Sequence, residues 1–116
     1  MLDKIKSLFG RKEKISETNA RLSKKLHNMH FKYISEKKSD GEDIIIARNG
    51  HINIEGENGD VLCATEGIKT VFRLKISEMN IWEFMSLNGC VITFIDLDTD
   101  EKRTVSVYYD AHLVRT

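Results

Sequence analysis

The chain has 116 residues, of which 41% are apolar and 31% are charged, and its formal net charge is zero. This length and composition are typical of a single soluble domain with one modest core. They exclude a transmembrane protein, because no apolar run approaches the roughly 20 residues that span a bilayer. The start of the chain does not have the uninterrupted apolar stretch of a secretory signal, so we expect a cytoplasmic protein.

Charge is distributed unevenly along the sequence. Residues 1–38 contain eleven Lys or Arg and four acidic residues, whereas residues 39–116 contain seven basic and fourteen acidic residues. The first region therefore carries an excess of positive charge and the second an equal excess of negative charge. Such asymmetry concerns partners and association more than it concerns the fold.

Residues 1–14 form a basic amphipathic segment, which we separate from a single domain at 15–116. Its apolar residues share one side of a predicted short helix that Gly10 ends, and a basic tract follows. The apolar side would enter a membrane or protein surface while the basic residues meet its negative charges, and such a contact leaves the protein peripheral to the membrane. The residues predicted to bind are Leu2, Lys4, Ile5, Lys6, Leu8, Phe9, Arg11, Lys12 and Lys14. Alternatively, the segment packs on its own domain or on a second subunit.

A longer helix is predicted from about Ser16 to Ile34. Its apolar residues fall on one narrow stripe, which packs on the same chain's sheet or on a second copy. A possible homodimer would use Leu22, Leu26, Met29 and Tyr33. The basic residues beside the stripe are not interleaved with aromatic or amide side chains, so nucleic acid is not expected as a partner.

A three-stranded meander is predicted after a polar linker at 35–43. Its strands lie near 43–48, 51–56 and 60–65, and Asn-Gly pairs at 49–50 and 58–59 predict two-residue hairpin turns. The second turn places Ile54 opposite Cys63, with Cys63 in the core. We interpret Cys63 and Cys90 as small buried residues and not as a disulfide.

Three further strands are predicted near 69–76, 90–97 and 103–109, the last two as an antiparallel hairpin. Between them, a possible N-cap at Ser77 and a helix end at Asn88-Gly89 predict a short helix near 78–87. The alternative continues the preceding strand through Met79 and Ile81. In both interpretations, residues 82–85 cap the core.

The sequence carries no catalytic motif, and we expect neither an enzyme nor a cofactor. The acidic run at 96–101 matches only the first ligands of a calcium loop, since Glu101 replaces the turn Gly and Val107 replaces the final Glu. His27, His30, Cys63 and Cys90 do not have the local spacing of a zinc module. We therefore predict no metal site.

The sequence predicts an α+β domain with an antiparallel sheet, a meander plus a hairpin, covered by one N-terminal helix; a half-open barrel is also compatible. The leading function is a non-enzymatic interaction module whose N-terminus engages an acidic membrane or protein surface. One alternative is a homodimerising structural protein. Another is an acidic inhibitor or immunity-type protein that masks a basic target. Its partner face would be Glu55, Glu57, Asp96, Asp98, Asp100 and Glu101.

Overall fold

The computed structural model describes residues 15–110, which form one α-helix and one seven-stranded antiparallel sheet. Across the sheet the strand order is β4-β3-β2-β1-β7-β6-β5, and the sheet is not closed. The α+β class is thereby confirmed, whereas the half-open barrel stays a prediction. The elements are α1 (Glu17–Leu26), β1 (Met29–Lys37), β2 (Asp43–Glu55), β3 (Val61–Glu66), β4 (Lys69–Lys75), a 3₁₀ turn (Ile76–Glu78), β5 (Asn80–Glu83), β6 (Gly89–Ile95) and β7 (Lys102–Tyr109).

Helix α1 begins at an N-cap and is shorter than predicted. The Ser16 hydroxyl accepts a hydrogen bond from the Asn19 N–H at 3.1 Å, which satisfies one of the free amides of the first turn. The chain leaves the helix after Leu26, and Asn28 takes a left-handed conformation with a φ of 68°. Asn tolerates this conformation better than most residues do. The predicted helix to Ile34 is therefore wrong in its second half.

Strand β1 occupies the remainder of that predicted helix. It pairs with β2 on one side and with β7 on the other, so it is a central strand. Met29, Phe31 and Ile34 are buried on the side that faces α1. Met29 and Tyr33 are four residues apart, which suits a helix equally well, but the sheet satisfies the backbone of this segment from both sides.

Strand β2 runs without a turn through Asn49-Gly50, so the first predicted hairpin is wrong. Gly50 pairs with Phe31 of β1, and Asn49 has a φ of 54° inside the strand. A Cβ atom at Gly50 would lie 2.1 Å from the Thr65 carbonyl oxygen and 2.4 Å from the Phe31 ring. Gly50 is thus required by close packing and not by a reverse turn.

The β2–β3 hairpin exists, but its register differs by one residue from the prediction. Ile54 pairs with Leu62, because five residues, Gly56 to Asp60, connect the strands in place of a two-residue turn. A shift of one residue exchanges the faces of a strand. Leu62 is therefore in the core beneath α1, and Cys63 is buried on the other face beside Asn53 and Arg73.

The predicted short helix near 78–87 is replaced by a 3₁₀ turn and strand β5. Ile81 is buried and Trp82 is half exposed, which is the alternation of a strand with one buried face and one exposed face. The alternative strand interpretation was closer to the structure. The hairpin of β6 and β7 is confirmed, with Ile92 opposite Val105.

The core lies between α1 and one face of the sheet. Leu22 and Leu26 of α1 are buried there, and the Asn19 side chain donates to the carbonyl oxygens of Ile76 and Met79 at 2.8 and 2.9 Å. The sheet also curls strongly: the rings of Phe72 in β4 and Phe94 in β6 have centroids 4.9 Å apart. The opposite face, which we name the open face, is not covered by any element of the described chain.

Candidate functional site

The nine residues predicted to bind a membrane or partner, Leu2, Lys4, Ile5, Lys6, Leu8, Phe9, Arg11, Lys12 and Lys14, lie outside the described residues. The homodimer stripe does fall within them, but not as one helical face. Leu22, Leu26 and Met29 are buried in the chain's own core, and Tyr33 lies on the open face of β1. A second copy cannot reach three of the four side chains, so this placement of a dimer contact is wrong.

Two arginines, Arg73 and Arg103, contact residues of the predicted acidic face. Arg73 contacts Glu55 at 3.1 Å and Asp98 at 2.9 Å, both near the surface. Asp96 is only 2% exposed and cannot face a partner, so its inclusion in that surface was wrong. The members that are exposed are Glu55, Glu57, Asp98, Asp100 and Glu101.

Asp96 belongs to a buried ionic cluster around Arg103. The Arg103 guanidinium donates to Asp96 at 2.5 Å, to two oxygens of Glu36 at 2.8 and 2.9 Å, and to the Val71 carbonyl at 3.2 Å. The two carboxylates raise the pKa of Arg103 through these hydrogen bonds, against the lowering effect of burial. We name these three charged residues the Arg103 cluster. All three nitrogens of the guanidinium group donate hydrogen bonds within the fold, so we assign the cluster a structural role.

Two buried groups of catalytic type, a thiol and a phenol, lie under the end of α1. Burial raises the pKa of the Cys90 thiol to about 12 and also raises the pKa of Tyr109. A thiol with such a pKa stays protonated at neutral pH and is a poor nucleophile. Cys63 is likewise buried, with a pKa raised by burial, and both cysteines are free, as expected from the sequence.

Two strongly exposed apolar residues lie in the turn between β5 and β6. Met85 is 101% exposed and Leu87 is 60% exposed, and the sequence from Phe84 to Asn88 contains no charged residue. We name residues 84–88 the apolar tip. Trp82, the single Trp of the sequence, is 52% exposed on the strand that leads into it. The expectation that residues 82–85 cap the core is therefore wrong for Trp82 and Met85.

Lysine residues flank the apolar tip on both faces of the sheet. On the helix side, Lys25 lies 2.5 Å from Glu83, the residue before the tip, and 5.6 Å from the centre of the Tyr109 ring. On the open face, Lys32 shares a groove with Asn88 of the tip. The groove has a volume of about 630 Å³ and is lined by Lys32, Tyr33, Asn49, Asn88, Tyr108, Tyr109 and Asp110.

Aromatic rings form the floor of this groove. Tyr33 and Tyr108 stack with ring centroids 4.4 Å apart, and Phe84 contacts Tyr108 at 5.3 Å. The phenylalanine anchors the base of the apolar tip on β7, since its partner ring belongs to that strand. Met85 and Leu87 are thus presented from a fixed base, and Leu87 has a left-handed φ of 65°.

The acidic loop 96–101 lies at the other end of β6 from the apolar tip. Strand β6 has seven residues, so the two ends are about 23 Å apart at roughly 3.3 Å per residue. The apolar tip and its lysines therefore occupy one end of the sheet, and four acidic residues lie in the loop at the opposite end.

Sequence reasoning missed the apolar tip because residues 77–87 were assigned to a helix. The usable signal was a short uncharged segment ending in Asn88-Gly89 between two β-type runs, which is typical of a hairpin loop.

Within the described residues, no group of three or more His, Cys, Asp or Glu side chains is placed to hold a metal ion. In the same part of the chain, no helix has the length and apolar character needed to cross a bilayer. No protein-family model matches the chain, and comparison with curated proteins and with solved structures finds no significant match.

Proposed function

We propose that this chain is a non-enzymatic, cytoplasmic interaction module that engages an acidic surface, either a membrane or a protein. The observation that carries the proposal is the apolar tip of the folded domain: Met85 and Leu87 are exposed at the end of β6 near which Lys25 and Lys32 lie, and the acidic loop lies at the other end. The exposed Lys24 and Lys32 attract an acidic partner to the first end.

The basic amphipathic segment at residues 1–14 adds a second cationic and apolar element to the same proposal. It precedes α1, whose last turn carries Lys24 and Lys25 next to the apolar tip. Each lysine near an anionic membrane contributes about 1 kcal/mol of attraction, so several together are needed for useful affinity. The two regions would contribute jointly.

The acidic inhibitor is supported less well. Arg73 occupies the space between Glu55 and Asp98, and Asp96 is used by Arg103, so only Glu57, Asp100 and Glu101 remain without a described partner group. A basic target would have to displace Arg73 to use the whole predicted face.

The test measures binding of the full chain to anionic vesicles by sedimentation, and to poly-glutamate as an acidic polypeptide. We expect binding to at least one probe, with an affinity that falls as salt is raised. Replacing the basic residues of the first segment (Lys4, Lys6, Arg11, Lys12 and Lys14) by Gln should weaken it at least tenfold. So should replacing Leu2, Ile5, Leu8 and Phe9 by Ser if the probe is a membrane.

The matched control replaces Lys37 and Lys38 by Gln. These residues lie where β1 ends, far along the strand from Lys32, and binding should change less than twofold. The proposal fails if neither probe binds. If both N-terminal variants bind as the unaltered chain does, residues 1–14 take no part in the contact and the folded domain alone makes it.

A further inference from the structure

We propose that the apolar tip, residues 84–88, is a membrane-insertion element that enters the interface of an anionic phospholipid bilayer. The inference rests on the proposed function and commits it to a lipid partner. It uses only the described residues and therefore does not depend on the N-terminal segment.

The first argument is the exposure of the tip. Met85 and Leu87 are exposed to 101% and 60%, on a turn whose five residues, Phe84 to Asn88, are all uncharged. Three of the other turns, residues 38–42, 56–60 and 96–101, each carry at least two charged residues, and the turn at 67–68 holds a single exposed apolar residue between Glu66 and Lys69. Adjacent exposed apolar side chains with polar surroundings mark an interaction site.

The second argument is the position of the cations. Lys25 is fixed beside the base of the tip by its contact with Glu83, and this pairing also neutralises the carboxylate that is nearest in sequence to the tip. Lys32 lies on the other face of the sheet, in the groove that Asn88 lines. The Lys25–Glu83 pair carries no net charge, so on the helix side the attraction comes from Lys24, the exposed neighbour of Lys25 in the last turn of α1, and on the open face from Lys32. When the tip enters the bilayer, these lysines are near the level of the headgroups, where they attract anionic lipid.

The third argument is Trp82. It precedes the tip by two residues and is half exposed on the open face, so it would lie at the depth of the interface when Met85 and Leu87 are inserted. Tryptophan favours this depth because its ring is apolar and its N–H remains hydrogen-bonded. The acidic loop at the far end of β6 points away from the anionic surface in the same orientation.

A protein groove could accept two apolar side chains as well, but it would not require cations on both sides of the tip. Anionic headgroups surround an inserted turn on every side, so cations on both sides of the tip contribute to binding. The charge pattern therefore favours the lipid over a protein partner.

The experiment uses the full chain and vesicles of phosphatidylcholine with and without phosphatidylserine. Trp82 is the only Trp, so its fluorescence reports directly on this site. We expect its emission to shift to shorter wavelength with vesicles that contain phosphatidylserine, and to remain unchanged with phosphatidylcholine alone. The double variant Met85→Ser with Leu87→Ser should bind at least tenfold more weakly than the unaltered chain.

The matched control is Ile68→Ser, which removes an equally exposed apolar side chain (105%) from the β3–β4 turn and should leave vesicle binding unchanged. The midpoint of thermal unfolding should be the same for all variants, because each replaced side chain is exposed.

The outcomes separate this inference from the proposed function. If the unaltered chain binds poly-glutamate but not vesicles, the lipid inference is overturned and the interaction module stands. If vesicles bind and the double variant binds equally well, another surface makes the contact and the tip is not an insertion element. If neither probe binds, both proposals fail.

Discussion

The side chains of Arg103 and Glu36 meet in a bidentate pair, with Nε and Nη2 of the arginine 2.9 and 2.8 Å from the two carboxylate oxygens. The pair joins β7 to β1, and Arg103 extends the contact to Asp96 after β6. Glu36 and Asp96 have side chains that are 13% and 3% exposed. The Arg103 cluster therefore ties three segments together at a place where ionised carboxylates are costly without a cation.

Replacing Arg103 by Met should lower the free energy of unfolding by about 3–5 kcal/mol, because the buried carboxylate of Asp96 and the largely buried carboxylate of Glu36 lose their shared cation. Urea unfolding followed by circular dichroism measures this loss. Arg73→Met is the control: Arg73 also contacts two carboxylates, but its side chain is 34% exposed, and the loss should be below about 1 kcal/mol. Equal losses in the two variants would contradict a structural role specific to Arg103.

The Asn19 side chain connects α1 to the segment between β4 and β5. Replacing Asn19 by Ala should cost about 1–3 kcal/mol, since the carbonyl groups of Ile76 and Met79 lose their donor. The exposed neighbour Thr18 provides the control, because Thr18→Ala alters the same helix without a buried contact and should stay within about 0.5 kcal/mol. The same unfolding measurement applies, and a similar effect of both variants would count against this connection.

Gly50 should not tolerate a side chain. In Gly50→Ala the new methyl group would meet the Thr65 carbonyl oxygen and the Phe31 ring, and we expect a loss of about 3 kcal/mol or more. Gly67→Ala tests backbone conformation alone, since Gly67 has a φ of 63° and open space around it. Its cost should be only about 1 kcal/mol. A Gly50 variant as stable as the Gly67 variant would show that Asn49-Gly50 is not packed as described.

Cys90 should make stability fall at alkaline pH. Its pKa is about 12 in the native state, against 9.0 for an unperturbed thiol. Below pH 9 the thiol is protonated in both the native and the unfolded state. Between pH 9 and about 12 the thiol of the unfolded state loses its proton while the native thiol keeps it, so the free energy of unfolding falls. The slope contributed by one proton approaches about 1.4 kcal/mol per pH unit.

Urea unfolding of the unaltered chain and of Cys90→Ala, measured from neutral to alkaline pH, isolates this contribution. The variant should show the shallower decline. Cys63→Ala serves as the comparison, because the Cys63 thiol is less desolvated and its removal should change the slope less. The expectation is refuted if Cys90→Ala declines as steeply as the unaltered chain.

The sequence allowed prediction of the class of the fold and of most strands, because the alternation in β4, β6 and β7 is strong. It did not allow prediction of β1. Met29 and Tyr33 continue the helical spacing of Leu22 and Leu26, and only the pairing of β1 with two neighbours decides for a strand. Local pattern is a weak guide where a central strand follows a helix directly. Asn28, which takes the left-handed conformation, was the available sign of the helix end.

The errors at the Asn-Gly pairs have a different origin. Asn49-Gly50 has the composition of a type I′ turn, but Gly50 is needed because the Phe31 ring and the Thr65 carbonyl fill the space of its missing side chain. Those two groups come from other strands, and no local rule contains them. The candidate site could not be predicted for the same reason. Met85 and Leu87 are exposed because β5 pairs with β6, whereas the local pattern predicted a helix.

The distance between the apolar tip and the acidic loop decides how the molecule behaves in salt. At physiological ionic strength the Debye length is about 8 Å, well below the roughly 23 Å length of β6. Counter-ions therefore screen the acidic loop from a partner bound at the tip. The zero net charge of the chain then does not predict whether that partner binds. Only in dilute buffer do the charges of the whole molecule act together as one electric dipole. The field of a charged partner would then orient this dipole before the two molecules touch.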